Sequence, residues 1–369
     1  MKIAQISPLI ESVPPRLYGG TERVVAYLTD ELVRMGHEVT LFASGDSETC
    51  ADLVPASRQA LRLDPKVREH IPYHVMMLEQ VKRLANRFDV LHFHTDLVHF
   101  PVFSGTRHTT LTTLHGRQDL FELRNFYTTF PDMPLVSISD AQRAPIPDAN
   151  FAGTVLHGLP SDLLAPSFKP CGRYLAFLGR ISPEKGVDRA IEIARAAGMP
   201  LKIAAKVDRA DEAYFREKIA PLLNVDGVTF IGEINERQKG AFLGEAAGLL
   251  FPIDWPEPFG LVMIEAMACA TPVLAFDCGS VREVVDQGVT GGIVSDVQEA
   301  SSAVRWLVQL DRKAVRQRFD RRFTSRRMAD DYVRLYRASV ELHARDNVVP
   351  LTRTAVRRGG GLVKMQPSA

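Results

Sequence analysis

Residues Asp254–Val273 read DWPEPFGLVMIEAMACATPV, and the rest of the chain takes its meaning from them. Pro256 and Pro258 flank Glu257. Proline locks its own φ and drives the preceding residue out of the helical region, so Trp255–Pro258 should be an extended loop. From Phe259 the sequence turns to good helix formers until Thr271-Pro272 stops the run. The loop therefore delivers a carboxylate, Glu257, to the mouth of a helix. The first backbone N–H groups there, on Gly260, Leu261 and Val262 beside Phe259, have no partner inside the helix and form an anion site. Glu265 lies about 7 Å further along the axis at about 1.5 Å per residue. A ligand polar at both ends and anionic in the middle fits that layout, as a nucleotide diphosphate sugar does. A lone helical Glu ordinarily faces solvent. Leu261–Ala270, however, is apolar on every face except at Glu265, which implies a buried helix and a carboxylate in need of a partner.

The 369 residues exceed one ordinary core and imply two domains. An apolar fraction of 46% with 24% charged residues is that of a globular protein, and a net charge of +1 gives no reason to expect nucleic acid as a partner. Cys50, Cys171, Cys269 and Cys278 form no C-x-x-C pair, which points to free thiols in a reducing compartment. The opening MKIAQISP reads as a first strand rather than a signal peptide, and no window reaches membrane-spanning length, so a cytoplasmic protein is expected.

Lys2–Ser7 reads as a strand. Gly19-Gly20 opens a helix carrying Val24, Val25, Leu28, Leu32 and Met35 on one face, with Thr21 as its expected cap, and His37–Ala43 returns as a strand. A Gly pair at a helix mouth permits close approach of a phosphate or sugar, although such pairs commonly just make a turn. Leu78–Phe88 reads as a helix and Asp89–His94 as a strand that puts His92 and His94 on one face. No third and fourth ligand follow at structural-site spacing, so no metal is expected. His115 falls at the carboxyl end of a strand over Thr109–Leu114, where ligands of parallel sheets bind, though a lone His is more often structural. Arg117–Pro134 mixes aromatic and cationic residues without a clear period; either a helix over the cleft or a loop packed on the core would account for it.

A Pro- and Ser-rich linker, Pro160–Gly172, precedes a second α/β series. Its first strand, Tyr174–Leu178, exits into GRISPEKG, where Arg180 and Lys185 can neutralise a diphosphate or can stand as solvated surface cations. Further strands are expected over Leu201–Ala205, Val228–Ile231, Gly248–Phe251 and Pro272–Phe276, and helices over Ala241–Ala247, Val281–Val285, Ala300–Leu310 and Arg327–His343. The tail from Val348 carries Arg353, Arg357, Arg358 and Lys364 without acids; it reads as a solubilising flexible segment, with weak attraction to an anionic membrane face as the alternative. No G-x-G-x-x-G follows the first strand of either half, which argues against a dinucleotide oxidoreductase.

Three segments carry a family resemblance that extends to about residue 345. EPFGLVMIEAMACATPV resembles the two-glutamate donor signature of retaining glycosyltransferases of family 4. GRISPEKG resembles that family's diphosphate loop, and GGTERVVAYLTDELVRMGHEVT its N-terminal Gly-Gly helix. The resemblance implies the GT-B fold: two facing Rossmann-like α/β domains, 1–165 on the acceptor side and 172–325 binding the donor, a helix at 326–345 crossing back, and a basic tail at 346–369. It implies transfer of a hexose, with retention, from a nucleotide diphosphate sugar (a UDP-sugar favoured) to a hydroxyl of a sugar, lipid or small-molecule acceptor, without metal or other cofactor and with peripheral membrane contact open. In that scheme Glu257 holds a sugar hydroxyl, Arg180 and Lys185 take the diphosphate charge, and His115 donates a hydrogen bond to the sugar. Gly19 and Gly20 border the donor phosphate, Gly232 with its neighbours Ile231–Ile234 the base, and Glu265 the ribose. Three departures stand out: Ala270 replaces Gly, with tighter packing behind the helix as the expected result; Lys206-Val207-Asp208 replaces a Gly-rich turn; and Arg282 replaces Pro. A sugar-nucleotide epimerase, a phosphorylase and a non-catalytic nucleotide-sugar-binding protein are the rival readings.

Overall fold

The computed structural model describes residues 1–16, 19–106 and 108–346. The basic tail and Tyr18 lie outside the described residues. Two all-parallel sheets organise the chain. The first runs in the order β3-β2-β1-β4-β5-β6-β7, built from β1 (Lys2–Ile6), β2 (Glu38–Ser44), β3 (Asp52–Ser57), β4 (Val90–Phe93), β5 (Thr110–Thr113), β6 (Leu135–Ser137) and β7 (Phe151–Thr154). The second runs β10-β9-β8-β11-β12-β13, from β8 (Leu175–Arg180), β9 (Leu201–Lys206), β10 (Val228–Gly232), β11 (Gly248–Phe251), β12 (Val273–Phe276) and β13 (Gly291–Val294). In each sheet the strand order reverses beside the first strand, between β1 and β4 and between β8 and β11. A crevice opens beyond the carboxyl ends of strands at such a switch point.

Helices of the first domain are α1 (Gly20–Arg34), α2 (Ile71–Leu84), α3 (Phe100–Phe103), α4 (Phe121–Thr129) and α5 (Asp140–Arg143). The second has α6 (Val187–Ala196), α7 (Glu212–Tyr214), α8 (Glu236–Gly244), α9 (Leu261–Ala268), α10 (Val281–Val284), α11 (Val297–Leu307) and α12 (Arg312–Arg322). The last helix, α13 (Ser325–Asp346), returns to the first domain, where Met328, Tyr332 and Tyr336 are fully buried with Ile3, Leu28, Val90 and Val136. None of the described helices is long and apolar enough to cross a membrane.

Several local expectations need correction. The first helix starts at Gly20 with Gly19 as its N-cap and no side-chain cap, so Thr21 sits inside the helix. Helix α2 begins seven residues earlier than expected, with proline in its first turn, the position where a missing N–H costs nothing. Helix α8 likewise starts early, because Asn235 and Gln238 form a reciprocal capping box. Strand β3 and helix α12 were not anticipated; α12 reads RKAVRQRFDRR and buries only Val315 and Phe319 among its charges. Arg117–Pro134 contains a helix, and its Phe126, Tyr127 and Phe130 pack around Phe100 in the core rather than facing a cleft.

Ala270 also behaves otherwise than its size suggests. Its φ is 63°, in the left-handed region, and its N–H bonds Met267 O at 2.9 Å while Thr271 N–H bonds Ala266 O at 2.8 Å. That pair of bonds is the closing turn a glycine normally makes after a helix. Ala270 therefore carries backbone strain of about 1–2 kcal/mol that a glycine would not.

Candidate functional site

Helix α9 starts where the sequence places it, and its mouth opens on a cleft of about 410 Å³ between the two sheets. Gly260 caps it at φ 77°; a side chain there would press on Met263 and Phe251. From the opposite wall, Gly19 and Gly20 bring the mouth of α1 against it, with Leu261 Cδ1 at 3.8 Å from where a Gly20 side chain would begin. Two helix N-termini thus face one crevice, each with unpaired amide groups and positive potential.

The Trp255–Pro258 loop is fixed from both domains. Ser139 Oγ donates to Pro258 O at 2.6 Å, and Ser280 N donates to Glu257 O at 3.0 Å. Glu257 is 9% exposed; its carboxylate accepts from Trp255 Nε1 at 3.0 Å and is paired with Lys185 Nζ. Lys185 also lies over the Trp255 ring, 5.0 Å from its centroid. Arg180, the last residue of β8, faces Glu184 at 3.2 Å, Asp208 at 3.6 Å and Asp211 at 3.9 Å. The Lys206-Val207-Asp208 turn therefore supplies a carboxylate to Arg180 where a Gly-rich turn would supply backbone. Both cations rest on carboxylates, so any anion entering the cleft must compete with those partners.

Glu265 has the partner its burial demands. Lys239 Nζ, on α8, donates to its Oε1 at 2.6 Å and lies 3.3 Å from Glu236 Oε2. Glu236 in turn pairs with Arg23 of α1. The row Arg23–Glu236–Lys239–Glu265 links the first domain to the far end of α9. Nothing in the sequence announced Lys239, which lies 26 residues from Glu265 on another helix.

His115 lies at the cleft wall, half-buried, and desolvation pushes its pKa down to about 3. Its Nε2 is 2.9 Å from His94 Nδ1, and His94 Nε2 is 2.8 Å from Gln5 Oε1. An amide oxygen only accepts, so His94 carries its proton on Nε2 and accepts from His115 Nε2–H. That leaves His115 Nδ1 as an acceptor. In that arrangement the donor nitrogen of His115 is committed to His94, and only its acceptor nitrogen is left for another partner. The chain of bonds continues from Gln5 Nε2 to Tyr336 and from Tyr336 to His92, so α13 and the cleft wall share one network.

Of the residues singled out from sequence, Gly19, Gly20, His115, Arg180, Lys185, Glu257, Phe259, Gly260, Leu261, Val262 and Glu265 all line this cleft. Gly232 stands just outside; Glu233, Ile234 and Asn235 line the wall instead. Sequence reasoning missed Lys239 and also His157, whose ring lies 5.3 Å from His115 and 4.9 Å from Phe259.

Comparison with known proteins agrees with this geometry. Residues 18–141 match the Glycosyltransferase Family 4 model and residues 167–323 the Glycosyl transferases group 1 model. A phosphatidyl-myo-inositol mannosyltransferase of Mycobacterium leprae is 25% identical over 350 residues, 86% of this chain and 90% of its own length. The O-antigen chain mannosyltransferase C of Escherichia coli is 22% identical over 89% of this chain and 96% of its own. Among solved structures, AviGT4, a glycosyltransferase involved in avilamycin A biosynthesis, superposes with a TM-score of 0.72 at 24% identity, over 92% of this chain and 98% of its own. Anabaena HepE in complex with UDP-glucose gives 0.69 at 17% identity, over 92% and 100%.

Proposed function

The chain belongs to the family 4, group 1 glycosyltransferases, and on that premise we propose that it moves a hexose, with retention of anomeric configuration, from a nucleotide diphosphate sugar to a hydroxyl of a glycan or glycolipid acceptor. The single observation that carries this reading is the pair Glu257 and Glu265 flanking the mouth of α9 inside a cleft shared by both sheets. The diphosphate takes the middle, where the amide groups of Leu261 and Val262, Arg180 and Lys185 offset the charge of the leaving group. Preorganised cations and dipoles of this kind do the work that a divalent ion does elsewhere. Glu257 positions a sugar hydroxyl, and Glu265 accepts from the ribose hydroxyls at the other end.

The resemblance read from the sequence favoured a UDP-sugar. The relatives named as mannosyltransferases turn that expectation toward GDP-mannose. The named acceptor of the Mycobacterium leprae relative is a phospholipid, which supports a membrane-associated acceptor reached from a peripheral position.

The test is release of nucleoside diphosphate from GDP-mannose, UDP-glucose, UDP-galactose and ADP-glucose with EDTA present, with lipid and oligosaccharide acceptors. One donor should turn over undiminished by EDTA, at least about 100-fold faster in wild type than in Glu257→Ala. NMR of the product should give the anomeric configuration of the donor. Loss of turnover in EDTA would reject the metal-independent mechanism, and an inverted product would reject retention.

A further inference from the structure

The loop that carries Glu257 is held at three successive carbonyls, and the bonds that hold it close into a ring through both domains. From the second domain, Ser280 N donates to Glu257 O at 3.0 Å and Ser280 Oγ donates to Phe259 O at 2.9 Å. From the first domain, Ser139 Oγ donates to the carbonyl between them, Pro258 O, at 2.6 Å. Both serines are fully buried. Glu283, on α10 with Ser280 at its start, joins the two halves. Its carboxylate accepts from Asp140 N at 2.7 Å and from Ala141 N at 2.8 Å, one oxygen to each. These amides directly follow Ser139 at the start of α5, where the helix itself offers them no acceptor. Hydrogen bonds to an ionised acceptor are stronger than those between neutral groups, so this is a firm tie between α5 and α10. Gln142 extends the ring to His115. Its Nε2 donates to Leu114 O at 3.0 Å and to Gly116 O at 2.7 Å, the carbonyls on either side of His115, while its Oε1 accepts from Ile138 N at 2.9 Å. Behind Glu283, Arg322 Nη2 of α12 donates to its backbone carbonyl. Glu283 stands outside the cleft lining, yet it ties the element that grips the Glu257 loop to the element that grips His115.

We propose that Glu283 is a positioning residue for Glu257: its grip on the start of α5 sets the Glu257 loop in register with the His115 wall. The proposal rests on the transferase reading, in which Glu257 meets the transferred sugar, and adds to it the residue that fixes this carboxylate relative to the first domain. Without the Glu283 carboxylate the ring opens opposite the loop, and α5 and α10 can move apart with the loop between them. Such a displacement costs rate rather than nucleotide affinity, because the diphosphate and ribose contacts given to Arg180 and Glu265 stand on β8 and α9.

The experiment measures kcat and KM with the donor that wild type turns over, and the Kd of GDP and UDP by calorimetry. It compares wild type, Glu283→Ala, Glu283→Gln, Glu257→Ala and the double variant Glu257→Ala/Glu283→Ala. In Glu283→Ala, kcat should fall by about 10- to 100-fold while donor KM and nucleoside diphosphate Kd stay within about three-fold of wild type. The retained affinity also shows that the variant folds; should it not fold, Glu283→Gln carries the same comparisons. Glu283→Gln keeps one acceptor oxygen for the two amides and should recover part of the rate. In the Glu257→Ala background, Glu283→Ala should change kcat by less than about three-fold, because the group it positions is already gone. Wild-type kcat in Glu283→Ala, or a loss of nucleoside diphosphate affinity equal to the loss of rate, overturns the positioning role while leaving the transferase reading intact. So does a further loss of about 10-fold or more in the Glu257→Ala background, which would make Glu283 a general support of the domain contact. Failure of wild type itself to turn over any donor overturns the transferase reading and this proposal with it.

Discussion

Glu265 and Lys239 are both buried, with side chains 6% and 11% exposed, and each depends on the other for its charge to be tolerated there. Glu265→Gln removes one partner and leaves an ammonium group with only Glu236 nearby. Breaking a buried pair costs about 3–5 kcal/mol, and the remaining contact to Glu236 puts this case at the lower end. Nucleoside diphosphate affinity should fall as well, by 10-fold or more, if Glu265 accepts from ribose hydroxyls. Glu265→Gln combined with Lys239→Met separates the two effects: thermal stability should return toward wild type while affinity stays low. Should the double variant regain full affinity, the carboxylate would be a structural counter-ion and no more. The pair also marks a limit of sequence reading. The apolar surroundings of Glu265 in the chain demanded a partner, but its identity depends on how α8 packs against α9, which no local period encodes. His157 escaped for the same reason: its neighbours, the nearly parallel ring of His115 and the edge-on ring of Phe259, come from separate segments of the chain.

At the scale of elements, the loop that carries Glu257 is held by a neighbour that must be glycine. Gly279 has φ 56°, and a side chain there would begin 2.4 Å from both the N and the O of Glu257. Gly279→Ala therefore combines left-handed strain with displacement of the Glu257 loop, and on the proposed function turnover should drop at least about 100-fold, since small misplacements are costly in a preorganised site. Gly288 makes the control. It has φ 74° with nothing near the missing side chain, so Gly288→Ala should cost about 1 kcal/mol of stability and leave turnover alone. Equal activity losses in the two variants would mean that strain alone, and not the push on Glu257, is responsible. Elements of this kind were the most legible. The proline-flanked loop, the apolar α9 and the two Gly-marked helix mouths are local patterns with local causes. Strand β3 and helix α12 were not, because an edge strand needs only one partner and α12 hides two buried residues in a run of arginines.

At the scale of the molecule, the first domain is built around imidazoles that stay neutral. Burial holds His92, His94 and His157 well below the ordinary 6.5 and pushes His99 and His115 to about 3. Folded-state values below the unfolded one mean that, under about pH 6.5, the unfolded chain takes up protons that the folded chain refuses. Stability is then lost as pH falls from about 6.5 toward 3 and is unaffected by these groups above that window. Each fully buried ring should cost about 1 kcal/mol between pH 7 and 5.5, and Tm should fall accordingly. His99→Gln should shallow that slope, whereas an unchanged Tm between pH 7.5 and 5.5 would contradict the picture of neutral, desolvated rings.

The return of α13 to the first domain has a consequence for the order in which the protein is made. Tyr332 and Tyr336, both fully enclosed, complete a core begun by Ile3 and Leu28. A ribosome delivers those tyrosines only after the second sheet. Until then the nascent first half carries an uncovered apolar groove while the whole second sheet is synthesised and folds behind it. The first domain is thus finished only after the second has been made.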